Sequence, residues 1–243
     1  MDIRVYRDYA EMSRAAAEII ADEIRKAPDS VLGLATGSTP VGMYRELIGM
    51  YRDGKVDFSQ VESFNLDEYV GLEPDDERSY ARFMRQQLFE HVNIDLARAH
   101  VPCGIGDNLD YICREYESMI ADAGGIDIQV LGIGMNGHIG FNEPGSSFSS
   151  RTRVVDLAAQ TVAVNKEKTA ADALPPQAIS MGIGTILEAK RIILLANGEG
   201  KADIIAKALR GPVTEDVPAS VLQRHSGVVV LLDEPAAGAL KIG

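Results

Sequence analysis

The stretch IDIQVLGIGMNGHIGFNEPG, residues 126 to 145, decides the fold. It opens as a strand: Ile126, Ile128, Val130 and Leu131 form a short apolar, β-branched run of the kind that is buried on both faces of a parallel sheet. The run then breaks into glycines and delivers Asn136, His138 and Glu143 within eight residues. Open α/β folds place their ligands at the carboxyl ends of buried strands, so this loop is the first candidate for chemistry. A histidine side chain exchanges protons near neutral pH, and Glu143 is close enough in sequence to orient or tune His138.

Working outward, the same alternation recurs. A helical pattern covers about residues 8 to 26, with Ala15, Ile19, Ile20 and Ile24 on one face. VLGLA (31–35) reads as a buried strand followed by TGSTP and a helix opened by Pro40, a favoured first-turn residue. VESFNL (61–66) is the next strand, ending at Asp67; helices follow over SYARFMRQQLFEHV (79–92) and about 108 to 121. RTRVVDL (151–157) is a short strand, and a polar stretch over about 158 to 174 ends at Pro175-Pro176. Next come a helix over QAISMGIGTILEAK (177–190), strand RIILLA, loop NGEG, helix KADIIAKALRG and the closing strand GVVVLLD. Strands alternating with helices predict an α/β fold: one domain over residues 1–243, a doubly wound and mostly parallel Rossmann-like sheet with helices on both faces. Four strands end in chemically unusual loops, TGSTP, NLDEY, GMNGHIGFNEP and NGEGK, which a parallel sheet gathers at one edge.

Composition limits what that edge could bind. A net charge of −12 and a pI of 4.8 lack the basic footprint of a nucleic-acid or anionic-membrane partner. An anionic ligand must therefore be held by local geometry rather than by the overall field. Cys103 and Cys113 match no zinc or redox spacing and read as reduced thiols of a cytoplasmic protein. The first residues, MDIRVYRDYAEMS, lack an apolar signal core, and no run approaches membrane-spanning length.

In TGSTP, Gly37 permits close backbone approach, Thr36, Ser38 and Thr39 offer hydroxyls, and the helix start offers free N–H groups: a cradle for phosphate or carboxylate. A plain helix cap would use the same residues. Lys201 stands at a helix start, where a cation opposes the dipole and an anionic ligand would explain it, although a solvated lysine tolerates that position. Asp67 and Glu68 follow an apolar strand, and one of them can serve as a general base. Asp67 is preferred, because adjacent strand residues point to opposite faces. Gly132, Gly134 and Gly137 match the dinucleotide fingerprint literally, but Pro144 and Gly145 interrupt the helix that motif requires. No second suitably spaced histidine makes His138 a metal ligand, so neither metal nor cofactor is expected.

LGLATGSTP, SFNLDEYVGL, LGIGMNGHIGFNEPGSSFSSRTR and ISMGIGTIL together resemble the glucosamine-6-phosphate deaminase family, also called glucosamine-6-phosphate isomerases, over essentially the full chain. GHIGFNEPG is the most specific part; the related 6-phosphogluconolactonases share the fold but continue differently after their GH pair. The resemblance implies a metal-independent conversion of glucosamine 6-phosphate and water to fructose 6-phosphate and ammonia. It assigns ring opening to His138, assisted by Asn136 and Glu143, enolisation to Asp67, and phosphate binding to Thr36–Thr39 and Lys201. Many members carry Asp where this chain has Asn136. The family's lid, expected here at about 157–181, usually supplies a phosphate-binding arginine; the matching stretch is Asn165-Lys166-Glu167-Lys168-Thr169, so Lys166 or Lys168 would take over that contact. Arg153 and Ser146 match the family's effector site, but Val155 replaces its usual lysine, and the chain stops soon after Asp233-Glu234-Pro235, short of the C-terminal segment of allosteric, hexameric members. A monomer or small homo-oligomer is expected. A deaminase for another hexosamine phosphate, such as the galactosamine epimer, and a non-catalytic sugar-phosphate sensor are the competing readings. Asp67, His138 and Glu143 retained together argue against the sensor.

Overall fold

The computed structural model describes residues 1–157 and 175–240. Seven strands, all paired in parallel, form the main sheet in the order β1-β10-β9-β6-β2-β3-β5. They are β1 (Asp2–Tyr6), β2 (Val31–Leu34), β3 (Glu62–Asn65), β5 (Ala99–His100), β6 (Ile128–Leu131), β9 (Arg191–Ala196) and β10 (Val228–Asp233). Every residue of β2, β6 and β10 is buried, as expected of strands covered on both faces by helices. The helices are α1 (Tyr9–Lys26), α2 (Val41–Arg52), α3 (Tyr80–Gln87), α4 (Leu109–Asp122), α5 (Ile183–Leu187), α6 (Ala202–Arg210) and α7 (Glu234–Ala237). No helix among the described residues is long and apolar enough to cross a membrane.

From β2 the chain builds outward through β3 to β5, and from β6 it builds the other way through β9 to β10. The order therefore reverses between β2 and β6, the switch point where such sheets open a crevice. The four unusual loops leave β2, β3, β6 and β9, four adjacent strands of this sheet.

The structure corrects the sequence reading in several places. β1 and β5 carry too few apolar residues to announce themselves, yet both pair with the sheet, β1 by a five-residue parallel register to β10. The helix expected over 79–92 stops at Gln87 and continues as a single 3-10 turn. The helix expected over 177–190 is strand β8 (Gln177–Ser180) followed by the five-residue α5. β8 is the centre of a second, antiparallel sheet, β4-β8-β7, with β4 at Asp67–Tyr69 and β7 at Arg153–Asp156. Its Ala178, Ile179 and Ser180 are fully buried, which explains an apolar run that looked helical. β8 also occupies the last part of the lid span expected over 157–181; residues 158–174, with Lys166 and Lys168, lie outside the described residues.

Candidate active site

The second sheet brings the site together. β3 ends at Asn65, and one residue later the chain re-enters regular pairing as β4, so Asp67 opens a strand rather than ending one. Asp67 pairs across β4–β8 with Ser180, and the Ser180 hydroxyl accepts the Phe141 N–H at 3.0 Å. Asn142, fully buried in the same loop, donates to Ile139 O at 2.9 Å and to Met181 O at 2.8 Å. β8 thus clamps the loop after β6 against the strand that carries Asp67. A cavity of about 280 Å³ lies between them, at the switch point. Thr36, Gly37, Ser38, Thr39, Asp67, Asn136, His138 and Lys201 all line it, whereas Glu143 stands behind His138.

Asp67 is 6% exposed, and burial, together with the charge of Glu68, pushes its carboxyl up to about 8. Burial and an adjacent carboxylate, with no compensating cation among the described residues, favour the protonated form, and once ionised Asp67 is a strong base. Glu68 faces away, as the alternation of a strand requires. Its carboxylate accepts hydrogen bonds from the N–H groups of Tyr69 (2.8 Å), Tyr80 (2.9 Å) and Ala81 (2.9 Å) and from the Ser79 hydroxyl (2.7 Å). Burial raises the Glu68 carboxyl, and these donors oppose that shift. Glu68 therefore caps α3 and fixes Tyr80, whose ring lines the cavity beside Phe141.

In the loop after β6 a single carboxylate oxygen organises the polar groups. Glu143 Oε2 accepts from Asn136 Nδ2 at 2.5 Å and lies 3.4 Å from His138 Nδ1. Asn136 Oδ1 in turn accepts the His138 backbone N–H at 3.2 Å. The imidazole lies flat on Gly134: a Cβ built there would meet its Cε1 at 2.2 Å. Gly134 thus makes room for a histidine ring, Gly137 packs against Val217 and Ile204, and no helix follows Gly137.

On the opposite side of the cavity, Gly37 turns the loop after β2 at φ +93°, a conformation L side chains rarely adopt. Thr39 donates its hydroxyl proton to Asn197 Oδ1 at 3.0 Å, which ties this loop to the one after β9. Asp233, at the end of β10, accepts the Gly198 N–H through both oxygens and steadies that second loop. Lys201 directs its ammonium into the cavity wall, donating to Ile133 O at 2.7 Å. Sequence reasoning missed Tyr80 and Asn197. Asn197 stood in a loop already singled out, but Tyr80 is held at the cavity by the Glu68 cap, by the Tyr69 hydroxyl at 3.3 Å and by the ring of Phe141, and carried no local signal. Among the described residues, no three His, Cys, Asp or Glu side chains are grouped to hold a metal ion.

The family model of glucosamine-6-phosphate isomerases and 6-phosphogluconolactonases matches residues 7–231. The chain belongs to this family. It is 52% identical to glucosamine-6-phosphate deaminase 2 of Bacillus subtilis, over 99% of this chain and 98% of that relative. It is 50% identical to a glucosamine-6-phosphate deaminase of Clostridium botulinum, over the whole of both. Among solved structures it is similar to a monomeric glucosamine-6-phosphate deaminase, with a TM-score of 0.95 and 46% identity over 98% of this chain and 100% of that one. The 6-phosphogluconolactonase of Trypanosoma brucei, at 19% identity and a TM-score of 0.78 over 98% of each chain, shares the fold.

Proposed function

We propose that this protein converts glucosamine 6-phosphate and water to fructose 6-phosphate and ammonia, in the cytoplasm and as a monomer. One observation carries the reading: a buried carboxylate, Asp67, with no counter-cation among the described residues, shares a cavity with a separate imidazole that faces a carboxylate and with an anion cradle. Opening a sugar ring and enolising the open chain need two acid–base groups, and holding one substrate through both steps needs an anchor away from the reacting carbons.

In this reading the phosphate rests on Thr36, Gly37, Ser38 and Thr39 and is neutralised by Lys201, with Lys166 or Lys168 adding a further positive charge. With its proton on Nδ1, the nitrogen 3.4 Å from Glu143, His138 leaves Nε2 to take the proton of the ring C1 hydroxyl. The C1–O5 bond then breaks, O5 is protonated, and C1 becomes the aldehyde. Asn136 donates to Glu143 and aims it at the imidazole. Asp67 removes the C2 proton while O1 takes a proton from the substrate ammonium, which gives an enolamine; Asp67 then delivers its proton to C1 and leaves an iminium at C2. Water adds there and ammonia departs, so atoms balance without a redox partner. The phenyl face of Phe141 and the ring of Tyr80 exclude water from the carbons during proton transfer.

Ammonia release measured across a panel of hexosamine phosphates tests the proposal. The expected result is turnover of glucosamine 6-phosphate at least tenfold above the galactosamine epimer. Tight binding of every member of the panel without ammonia would instead establish a sensor.

A further inference from the structure

We propose that Tyr9, the first residue of α1, is a positioning residue for phosphate binding: its hydroxyl sits behind the loop after β2 and fixes which way that loop's peptides face. Tyr9 does not line the cavity, and nothing in its sequence context marks it. Its oxygen lies 3.0 Å from both Ser38 O and Thr39 O and accepts the Gly42 N–H at 2.7 Å. One phenol thus links the last two carbonyls of the cradle to the first turn of α2. The approach is close enough to need a glycine at the first turn of α2. A Cβ at Gly42 would come within 2.9 Å of Tyr9 Cζ and 2.3 Å of Ser13 Oγ.

Peptide planarity turns these contacts into an effect on the ligand. The Ser38 carbonyl and the Thr39 N–H belong to one trans peptide and point in opposite directions. Holding the carbonyl back on Tyr9 therefore turns the Thr39 N–H to the other side of the loop, where the residues of the cradle line the cavity. Without the phenol proton, nothing described holds either carbonyl back, and a carbonyl turned inward would set its negative end against a phosphate. Tyr9 also satisfies one of the free N–H groups at the start of α2, so that this donor is committed to the protein rather than to the ligand. Preorganisation of this kind changes ground-state binding of the anion and leaves the proton transfers untouched.

The inference rests on the cradle reading above, and the experiment separates the two. In the full chain, KM and kcat for glucosamine 6-phosphate are measured together with inhibition by inorganic phosphate. If phosphate does not compete with substrate in the unmodified protein, the cradle reading fails and this inference with it. If phosphate competes, Tyr9→Phe is expected to raise KM and the phosphate inhibition constant by the same factor, about 3–10-fold, the weight of one hydrogen bond. In that variant kcat stays within about twofold. Gly42→Ala, which keeps the phenol but crowds it, is expected to move both constants in the same direction. Constants unchanged in Tyr9→Phe, or a fall in kcat with KM unmoved, would overturn the assignment.

Discussion

Replacing Asp67 by Asn separates the two consequences of burying a carboxyl. The side chain keeps its shape, but it loses both the ability to accept a proton and the cost of ionising in place. Removal of the base is expected to lower kcat by roughly 10²–10⁴-fold while substrate binding changes little. The stability effect has the opposite sign. The folded-state carboxyl is held at about 8 by burial and by Glu68, against an ordinary value of 3.8 when unfolded. Between those two values the folded state holds the proton and the unfolded state does not, so stability falls as pH rises through that window and levels off above it. Below the unfolded value both states are protonated and nothing is lost. The full effect is on the order of a few kcal/mol, and the neutral amide escapes it. Asp67→Asn is therefore expected to melt close to the parent at pH 4.5 and above it at pH 9, by roughly 3–10 °C for a chain of this size. Thermal unfolding across pH, ammonia release, and exchange of the substrate C2 proton in heavy water measure the three quantities. Turnover within tenfold of the parent, or a stability difference that does not grow with pH, would refute the reasoning. The same ionisation predicts that kcat/KM of the parent rises with pH up to about 8.

Other outcomes follow from the geometry. Gly134→Ala places a methyl group on the His138 ring and is expected to cost at least 10²-fold in kcat, with the fold retained as judged by circular dichroism; activity within threefold would mean that the ring is free to move. His138→Gln is expected to slow the cyclic substrate far more than an open-chain analogue, with chelators leaving the parent unaffected; equal losses on both substrates would count against a ring-opening role. Lys201→Met is expected to raise KM by about 10–100-fold, a charge-assisted contact to phosphate being lost, and saturation kinetics read it directly. N-acetylglucosamine 6-phosphate is expected not to activate. Arg153 and Ser146 do meet, at 3.3 Å, but Arg153 also donates to the buried Asn142 at 2.8 Å, and Val155 offers no second cation on that strand. Sigmoidal kinetics made hyperbolic by that compound would contradict this.

What the sequence by itself determined is local or periodic. Buried parallel strands read as unbroken apolar runs because both faces are covered, so β2, β6, β9 and β10 were legible, and with them the loops that hold Thr36 to Thr39, His138 and Lys201. That Asp67 rather than Glu68 faces the cavity was legible too, because a strand alternates its faces whichever sheet it joins. Tertiary structure decided the rest. A five-residue register along β10 makes a strand of β1, whose Ile3, Val5 and Tyr6 are only half-buried against the core. The segment from Gln177 carries an apolar run that suits a helix as well as a strand, and only pairing with β4 and β7 on its two sides selects the strand. That choice is what brings Asp67 to the loop of His138. Tyr9 and Asn197 make hydrogen bonds to groups 29 or more residues away, and Tyr80 is held by a carboxylate 12 residues back. No residue pattern encodes such a contact; it exists only once the sheet has set the distance.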